Sequence, residues 1–254
     1  MIRILLSGCN GRMGRAVVSM LEGNPDMSVV AGMDLAPGAQ STFPVYDSFD
    51  KIGETADVAV DFSHISLTPA LLDYCVKKKL PLVLCTTGIA GDLETQVADA
   101  AKTIPIFQSF NMSLGVSLLL ALVRQAAKVL GSAYDVEIIE QHHNKKVDAP
   151  SGTAWMIAKA AASVLPYEPE YVFDRSGEHR QRDQKEIGVH SIRGGAIVGE
   201  HQAMFIGPNE TISISHSAQS RELFADGAVR AAAYLVANAQ ARIHNMDDLV
   251  NSLS

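Results

Sequence analysis

Ile2-Arg3-Ile4-Leu5-Leu6-Ser7-Gly8-Cys9-Asn10-Gly11-Arg12-Met13-Gly14 is the stretch whose reading decides the fold. Ile2 to Leu6 has the composition of a short buried strand. A glycine-rich turn follows at once, and a helical run from Arg15 to Leu21 is closed by Gly23. Strand, glycine turn and helix in that order are the context that a dinucleotide fingerprint requires. Gly8 allows the tight turn, Gly11 lets a pyrophosphate approach the backbone at the helix N-terminus, and Gly14 lets helix and strand pack closely. The spacing is G-x-x-G-x-x-G rather than the commoner G-x-G-x-x-G, so the position directly after the first strand carries most of the weight.

Outward from this turn, a second strand over Met27 to Met33 ends in Asp34, twenty residues after Gly14. A carboxylate at that place can accept hydrogen bonds from the ribose hydroxyls of an adenosine; the plainer alternative is a turn cap before Pro37-Gly38. Leu35 to Thr42 contain no Arg or Lys, so a 2′-phosphate would meet Asp34 without a counter-charge. NADH is therefore expected over NADPH. Arg12 could reach the adenosine side and soften that preference.

The alternation continues with strands at Val58 to Phe62, Pro81 to Cys85 and Ile104 to Phe107, and helices at Thr68 to Lys78 and Asp92 to Lys102. Such alternation implies a parallel sheet wound on both faces, with ligands beyond the strand C-termini. Asp61-Phe62-Ser63-His64, Cys85-Thr86-Thr87-Gly88 and Ser109-Phe110-Asn111-Met112-Ser113 are polar strand ends of that kind. The last two could line the nicotinamide end, or could simply cap helices.

After Ser113 the pattern changes. Leu114 to Leu130 reads as an apolar-rich helix, Tyr134 to Glu140 as a strand, and Thr153 to Val164 as a helix capped by Ser151. Pro166 to Lys185 is polar and irregular, with the look of a mobile loop. Ile187 to Arg193 and Ala196 to Phe205 flank the turn Gly194-Gly195, and Thr211 to His216 follows, suggesting an open, largely antiparallel sheet. An alanine-rich helix over Glu222 to Ala239 and a short element over Met246 to Leu253 end the chain. The expected fold is α/β: a Rossmann-like doubly wound parallel sheet plus a smaller α+β domain with an open mixed sheet. The nucleotide domain is placed at 1–113 and 224–254, and the substrate-binding and oligomerisation domain at 114–223.

Composition sets the limits. Of 254 residues, 47% are hydrophobic and 19% charged, as in ordinary soluble domains. The formal charge of -7 argues against nucleic acid as a partner. Cys9, Cys75 and Cys85 form no metal or disulfide pattern, the N-terminus has no signal-peptide layout, and the apolar stretch Val116 to Val123 is too short to span a membrane. A cytoplasmic protein is expected.

In an acidic chain a local basic cluster is informative. Glu140-Gln141-His142-His143-Asn144-Lys145-Lys146-Val147-Asp148-Ala149-Pro150-Ser151-Gly152-Thr153 packs two His and two Lys beside a helix N-terminus within fourteen positions. The unpaired N–H groups of that terminus suit a carboxylate, Gly152 leaves the approach open, and Thr153 adds a donor. His142, His143 and Lys146 can bind an anion and supply a proton. Lys145 reads as a bystander. A zinc site lacks a third ligand, and Ser151 lacks the G-x-S-x-G setting of a hydrolase nucleophile.

Glu140 through Ala154 closely resembles the E-x-H-H-x-x-K-x-D-x-P-S-G-T-A signature of the dihydrodipicolinate reductase family, also called 4-hydroxy-tetrahydrodipicolinate reductases. Gly11-Arg12-Met13-Gly14-Arg15, Asp61-Phe62-Ser63, Thr86-Thr87-Gly88, Asn111-Met112-Ser113-Leu114-Gly115, Arg193-Gly194-Gly195 and Val198-Gly199-Glu200-His201 add matches along nearly the whole chain. The resemblance implies NAD(P)H-dependent reduction of a cyclic imine dicarboxylate in lysine and diaminopimelate biosynthesis. His142 would match the family's proton donor or acceptor and Lys146 its proton donor. His143, Gly152 and Thr153 would match substrate-binding positions, with Ser151 at the cap beside them. Gly8, Cys9, Asn10, Gly11, Arg12, Met13, Asp34, Cys85, Thr86, Thr87, Ser109, Phe110, Asn111 and Met112 would match the nucleotide contacts. A homotetramer joined through the substrate-domain sheets is implied as well. Two departures stand out: Cys85 replaces a common Gly, and Leu35 replaces an Arg that in some members contacts the 2′-phosphate. The competing readings are another Rossmann imine reductase, which leaves the loop signature unexplained, and a non-catalytic NADH sensor, which has no need of the proton-transfer groups.

Overall fold

The computed structural model describes residues 1–35, 41–177 and 179–253. The chain divides into two compact units, Met1–Ser113 with Glu222–Ser254, and Leu114–Arg221.

The first unit opens with β1 (Ile2–Ser7), α1 (Arg12–Leu21), β2 (Met27–Met33), β3 (Val45–Tyr46) and β4 (Val58–Asp61). It continues through α2 (Thr68–Lys78), β5 (Leu82–Leu84), α3 (Asp92–Ala100) and β6 (Ile106–Gln108). Apolar side chains on both faces of β1 and β4 suit a sheet covered on both sides: Ile4, Leu5, Leu6, Val58, Ala59 and Val60 have no exposed surface. Each fully buried Ile or Leu contributes about 1.5–3 kcal/mol relative to exposure. Leu5, Leu82, Leu84 and Ile106 share one core cluster with α2 and α3 residues such as Leu71, Leu72 and Val97.

The second unit holds α4 (Leu114–Leu130), β7 (Asp135–His142), α5 (Gly152–Ala162), β8 (Glu170–Val172), β9 (Glu186–Arg193), β10 (Gly199–Ile206) and β11 (Thr211–Ala218). The chain then re-enters the first unit as α6 (Glu222–Ala237), β12 (Ile243–His244) and α7 (Met246–Ser252). Alanines and a glycine make α6 slim: a Cβ on Gly227 would lie 1.6 Å from the Met112 carbonyl oxygen. A capping box between Asn245 and Asp248 starts α7.

The seven-stranded sheet runs β12-β6-β5-β4-β1-β2-β3, and every pairing in it is parallel. The chain leaves β1 for β2 on one side and returns to β4 on the other, so a switch point lies at the C-terminal ends of β1 and β4. This is the doubly wound sheet expected from the sequence.

The second sheet runs β11-β10-β7-β9-β8. It is mixed, as the expected fold class has it, and less antiparallel than the turn spacing suggests: β10 is antiparallel to β11 and β7, whereas β7, β9 and β8 run parallel. β9 and β10 do not pair across Gly194-Gly195, because β7 lies between them. Their connection is too long for a tight hairpin and crosses the end of β7. Gly194 N–H donates to the His142 carbonyl, and His143 and Asn144 N–H donate to the Ile197 and Gly195 carbonyls. The link between the two strands that flank β7 thus holds the start of the basic loop.

The irregular stretch before β9 also differs from expectation. It contains β8 and is tied by ion pairs from Arg175 to Glu137 and Glu186, and from Arg182 to Asp135 and Glu137. A further correction concerns α4. Leu114–Ala133 spans 20 residues with mean hydropathy 1.5, long and apolar enough to cross a membrane by length and composition. Its Val116, Leu119, Leu120, Val123 and Ala127 nevertheless share a core with α5 and the inner sheet face, including Ile138, Val189 and Phe205. That packing makes it a core helix of the unit.

Candidate active site

In the first unit, backbone does most of the shaping. Gly8 has φ +77°, and a Cβ there would lie 2.7 Å from the Phe62 carbonyl. A Cβ on Gly14 would come within 2.2 Å of the Gly8 carbonyl oxygen. The turn therefore takes this path only with glycine at both places. Gly11 heads α1 without a side-chain cap, and the first turn holds no acidic residue, a helix start of the kind that suits an anion. Gly8 N–H donates to the Met33 carbonyl at 2.8 Å, and Asn10 N–H donates to the Asp34 carboxylate at 2.9 Å. Asp34 is thereby fastened to the same turn.

A cleft of about 310 Å³ runs along Gly8, Asn10, Gly11, Asp34, Leu35 and His64. Arg12 is exposed and Met13 half-buried. The Cys9 side chain is buried against Gly32, and its thiol is pushed up to about 11, by burial first and Asp34 second. It can offer a ligand its backbone only. An uncapped helix start, two obligatory glycines and an acid at the second strand's end fit a pyridine dinucleotide. Of the stretch read for a 2′-phosphate partner, 36–40 lies outside the described residues.

At the ends of β4, β5 and β6, Asp61 is fully buried, takes the Thr86 hydroxyl and accepts from Ser63 N–H at 3.1 Å. Cys85 is buried, and burial followed by the charge of Asp61 raises its thiol well above the ordinary range. Thr87 and Phe110 are exposed, while Asn111 and Met112 are buried. Ser109 Oγ donates to the Asn111 carbonyl at 2.8 Å, folding that strand end into a local turn. Of the residues expected at the nicotinamide end, Thr87 and Phe110 are thus exposed and Ser109 is half-buried with its hydroxyl engaged, whereas Cys85, Thr86, Asn111 and Met112 are buried.

In the second unit, ionisable side chains do the shaping. Alternation along β7 turns Val136, Ile138, Glu140 and His142 to the helix-covered face. Register then sets Glu140 beside Ser191 of β9 and His201 of β10, and His142 beside Arg193. Arg193 grips Glu140 with both terminal nitrogens, at 2.8 and 2.7 Å. Glu140 also lies 2.6 Å from His142 Nδ1 and accepts from Ser151 N–H at 3.1 Å. Burial works against its charge, but the bonds from Arg193, Ser191, His142 and Ser151 prevail and hold its pKa at about 2.

A carboxylate can only accept, so His142 Nδ1 carries the proton and Nε2 is left without a protein partner among the described residues. Burial lowers the His142 pKa against the pull of Glu140, favouring neutral imidazole. The ring is seated against Gly199, where a Cβ would approach Nε2 to 3.1 Å. His201 packs edge-on to it at 5.2 Å, with its pKa lowered to about 4 by burial and then by His142.

The loop beyond β7 makes a turn, with Lys146 N–H on the His143 carbonyl at 3.1 Å. Lys146 Nζ pairs with Asp148 at 2.8 Å, and Arg193 also donates to the Asp148 carbonyl. His143 is half-buried, its Nδ1 without a partner among the described residues, and Lys145 is exposed. Ser151 caps α5 by accepting from Ala154 N–H at 3.1 Å, while His201 Nε2 approaches its hydroxyl at 3.1 Å. Only 2% of Ser151 is exposed, so it orders the helix start rather than presenting its hydroxyl. Gly152 is exposed with open space over its Cα, and Thr153 is half-buried beside it.

The structure therefore brings a neutral histidine, a lysine cation and an open helix N-terminus to one end of the second sheet. Glu140, Arg193 and His201 were not expected as site residues. Arg193 and His201 lie 53 and 61 positions beyond Glu140, and only strand register brings them together. The available signal was an acid within an otherwise apolar inward-facing run, which needs a partner when buried.

Comparison with known proteins agrees with this geometry. Residues 2–112 match the family described as "Dihydrodipicolinate reductase, N-terminus", and residues 115–250 match "Dihydrodipicolinate reductase, C-terminus". The chain belongs to the dihydrodipicolinate reductase family. It is 49% identical over 250 residues to the 4-hydroxy-tetrahydrodipicolinate reductase of Caldanaerobacter subterraneus subsp. tengcongensis, covering 98% of both chains. It is 44% identical to that of Clostridium tetani, covering 99% of this chain and 98% of the other. A solved dipicolinate-bound dihydrodipicolinate reductase from Paenisporosarcina sp. TG-14 shares the fold at a TM-score of 0.81 and 24% identity, covering 96% of this chain and 97% of that one. The chain is thus an oxidoreductase of lysine biosynthesis that uses a pyridine nucleotide.

Proposed function

We propose that this chain is a cytoplasmic enzyme that converts 4-hydroxy-tetrahydrodipicolinate to tetrahydrodipicolinate, taking NADH in preference to NADPH. The single observation that carries the reading is the cluster of His142, Lys146 and the open N-terminus of α5, on a chain whose family match covers both units. The net change replaces a hydroxyl by hydrogen, consuming one hydride and one proton and releasing one water. The nicotinamide supplies the hydride. Gly8 to Met13 and Asp34 hold the nucleotide, with Cys85 to Thr87 and Ser109 to Met112 shaping its reactive end. His143 and the start of α5 at Gly152 and Thr153 hold the carboxylates, with Ser151 ordering that start. Lys146 delivers the proton, and neutral His142 accepts or relays one through Nε2.

NADH preference rests on Asp34 at the end of β2 and on Leu35, an exposed apolar residue, after it. A homotetramer is supported by the second sheet, whose outer face carries Gln141, Gln202, Ser215 and Ser217 around a shallow groove while α4 and α5 cover the inner face. The test is a coupled assay with aspartate semialdehyde, pyruvate and dihydrodipicolinate synthase, following loss of reduced nicotinamide. Synthase-dependent oxidation with a higher kcat/KM for NADH is expected. No such oxidation with either cofactor rejects the reaction. An NADPH advantage of about tenfold, equivalent to about 1.4 kcal/mol, rejects the preference alone. A monomer in sedimentation velocity rejects the tetramer.

A further inference from the structure

The proposed reaction assigns roles to His142, Lys146 and the start of α5, but it leaves unused the most deeply buried charge beside them. Glu140 has no exposed surface and sits one alternation behind His142 on β7. Its two oxygens face different tasks. Oε2 receives His142 Nδ1–H at 2.6 Å, and Oε1 receives the backbone N–H of Ser151, the residue that caps α5. Arg193 spans both oxygens and, through the Asp148 carbonyl, also reaches the segment carrying Lys146's counter-ion.

Simple packing does not require this arrangement. A buried carboxylate loses hydration, and an ion pair with Arg193 alone would balance its charge without fixing an imidazole or a helix cap. Here the guanidinium spans both oxygens, and one oxygen also takes the imidazole while the other takes the helix-cap amide. His142 is held in one tautomer, and the strand end is tied to the helix whose N-terminus is open. We propose that Glu140 is a positioning residue for the reduction, acting through His142 by fixing its Nδ1–H tautomer and through Ser151 by setting the anion-binding start of α5. This inference rests on the reaction proposed above. It differs from it in assigning a role to a residue that touches neither substrate nor nucleotide.

The wider surroundings support this assignment. The groups facing His142 are Glu140 on its own strand, Arg193 on β9, His201 on β10 and Lys146 on the loop. His201 Nε2 meets the Ser151 hydroxyl at 3.1 Å, so one circuit of contacts runs from His142 through Glu140 and Ser151 to His201 and back to the His142 ring. Among these groups Glu140 is the only anion. Among the described residues Glu140 is the acceptor recorded on Nδ1, so without it the Nδ1–H form loses the bond that selects it.

The decisive readout is the ring-nitrogen spectrum of His142 in full-length protein labelled with nitrogen-15 histidine, assigned with His142→Gln. Wild type is expected to show Nδ1 protonated and Nε2 unprotonated near neutral pH. Glu140→Gln is expected to lose that tautomer, lower kcat about 10²-fold or more, and raise KM for the dicarboxylate. NADH affinity should change less than twofold. In a His142→Gln background, Glu140→Gln should cost kcat almost nothing further, since its effect runs through the missing imidazole.

An unchanged His142 tautomer in Glu140→Gln overturns the proposal. So do costs in kcat that add fully across the double variant. Should Glu140→Gln fail to fold because Arg193 is left unpaired, Glu140→Gln with Arg193→Gln removes both charges, and the same tautomer reading decides. A wild-type protein inactive on the proposed substrate would reject the reaction, and the tautomer measurement would still test the role of Glu140.

Discussion

The candidate site of the first unit is shaped by backbone, and that of the second by side chains that are charged, buried and interlocked. At the end of β1 a single residue change of one methyl group would meet a carbonyl oxygen at 2.2 Å, and the donors on offer are amides at a helix start. At the end of β7 the shape depends on a carboxylate held by Arg193, Ser191, His142 and the Ser151 amide. The contrast fits the proposed division of labour. A nucleotide needs a fixed surface that changes little with pH, whereas proton transfer needs groups whose charge and tautomer are set by neighbours.

The sharpest way to break this comparison is to remove the groups proposed to handle protons. Lys146→Ala and His142→Gln are each expected to lower kcat by ~10²–10⁴, because a general acid or base typically contributes that much. Near wild-type turnover in steady-state assays of both would take them out of the mechanism. A smaller effect, on the other side of the comparison, is expected from Gly14→Ala. Its new Cβ forces the turn away from the Gly8 carbonyl, and the dissociation constant for NADH should rise about tenfold or more, about 1.4 kcal/mol. Unchanged NADH affinity would mean that the turn is not the nucleotide's seat.

The smallest effect concerns acid. His201 has a folded pKa near 4, below the ordinary 6.5, so the unfolded chain takes up that proton first and stability falls as pH drops from about 6.5 to 4. Glu140 and Glu186 have folded values of about 2, below the ordinary 4.5. Their stabilisation is present above that ordinary value and is lost as pH falls towards 2. All three belong to the second unit. Hydrogen exchange followed against pH should show β7 and β10 amides losing protection before those of β1 and β4. Loss in step across both units would contradict the contrast.

Legibility in the sequence follows the same division. Met27–Met33, Thr68–Lys78 and Leu114–Leu130 have the bounds that apolar period and flanking turn residues indicate. The glycine turn is local, so seven residues suffice to read it. The strands Val45–Tyr46, Glu170–Val172 and Ile243–His244 escape because two or three residues carry no period, and their pairing depends on neighbours distant in the chain. The insertion of β7 between β9 and β10 escapes for another reason. Gly194-Gly195 looks like a hairpin turn, and the sequence does not show that its connection passes over another strand. The same ignorance of register hid Arg193 and His201, whereas His142, Lys146 and Ser151 to Thr153 lie close together in one signature.

The division of labour is tested most directly by calorimetric titration of NADH into wild type, Gly14→Ala and the double variant His142→Gln with Lys146→Ala. The account predicts a double variant that binds NADH within about twofold of wild type although its turnover has collapsed, and a Gly14→Ala protein that binds at least about tenfold more weakly. A double variant that loses NADH affinity as far as Gly14→Ala does would contradict it.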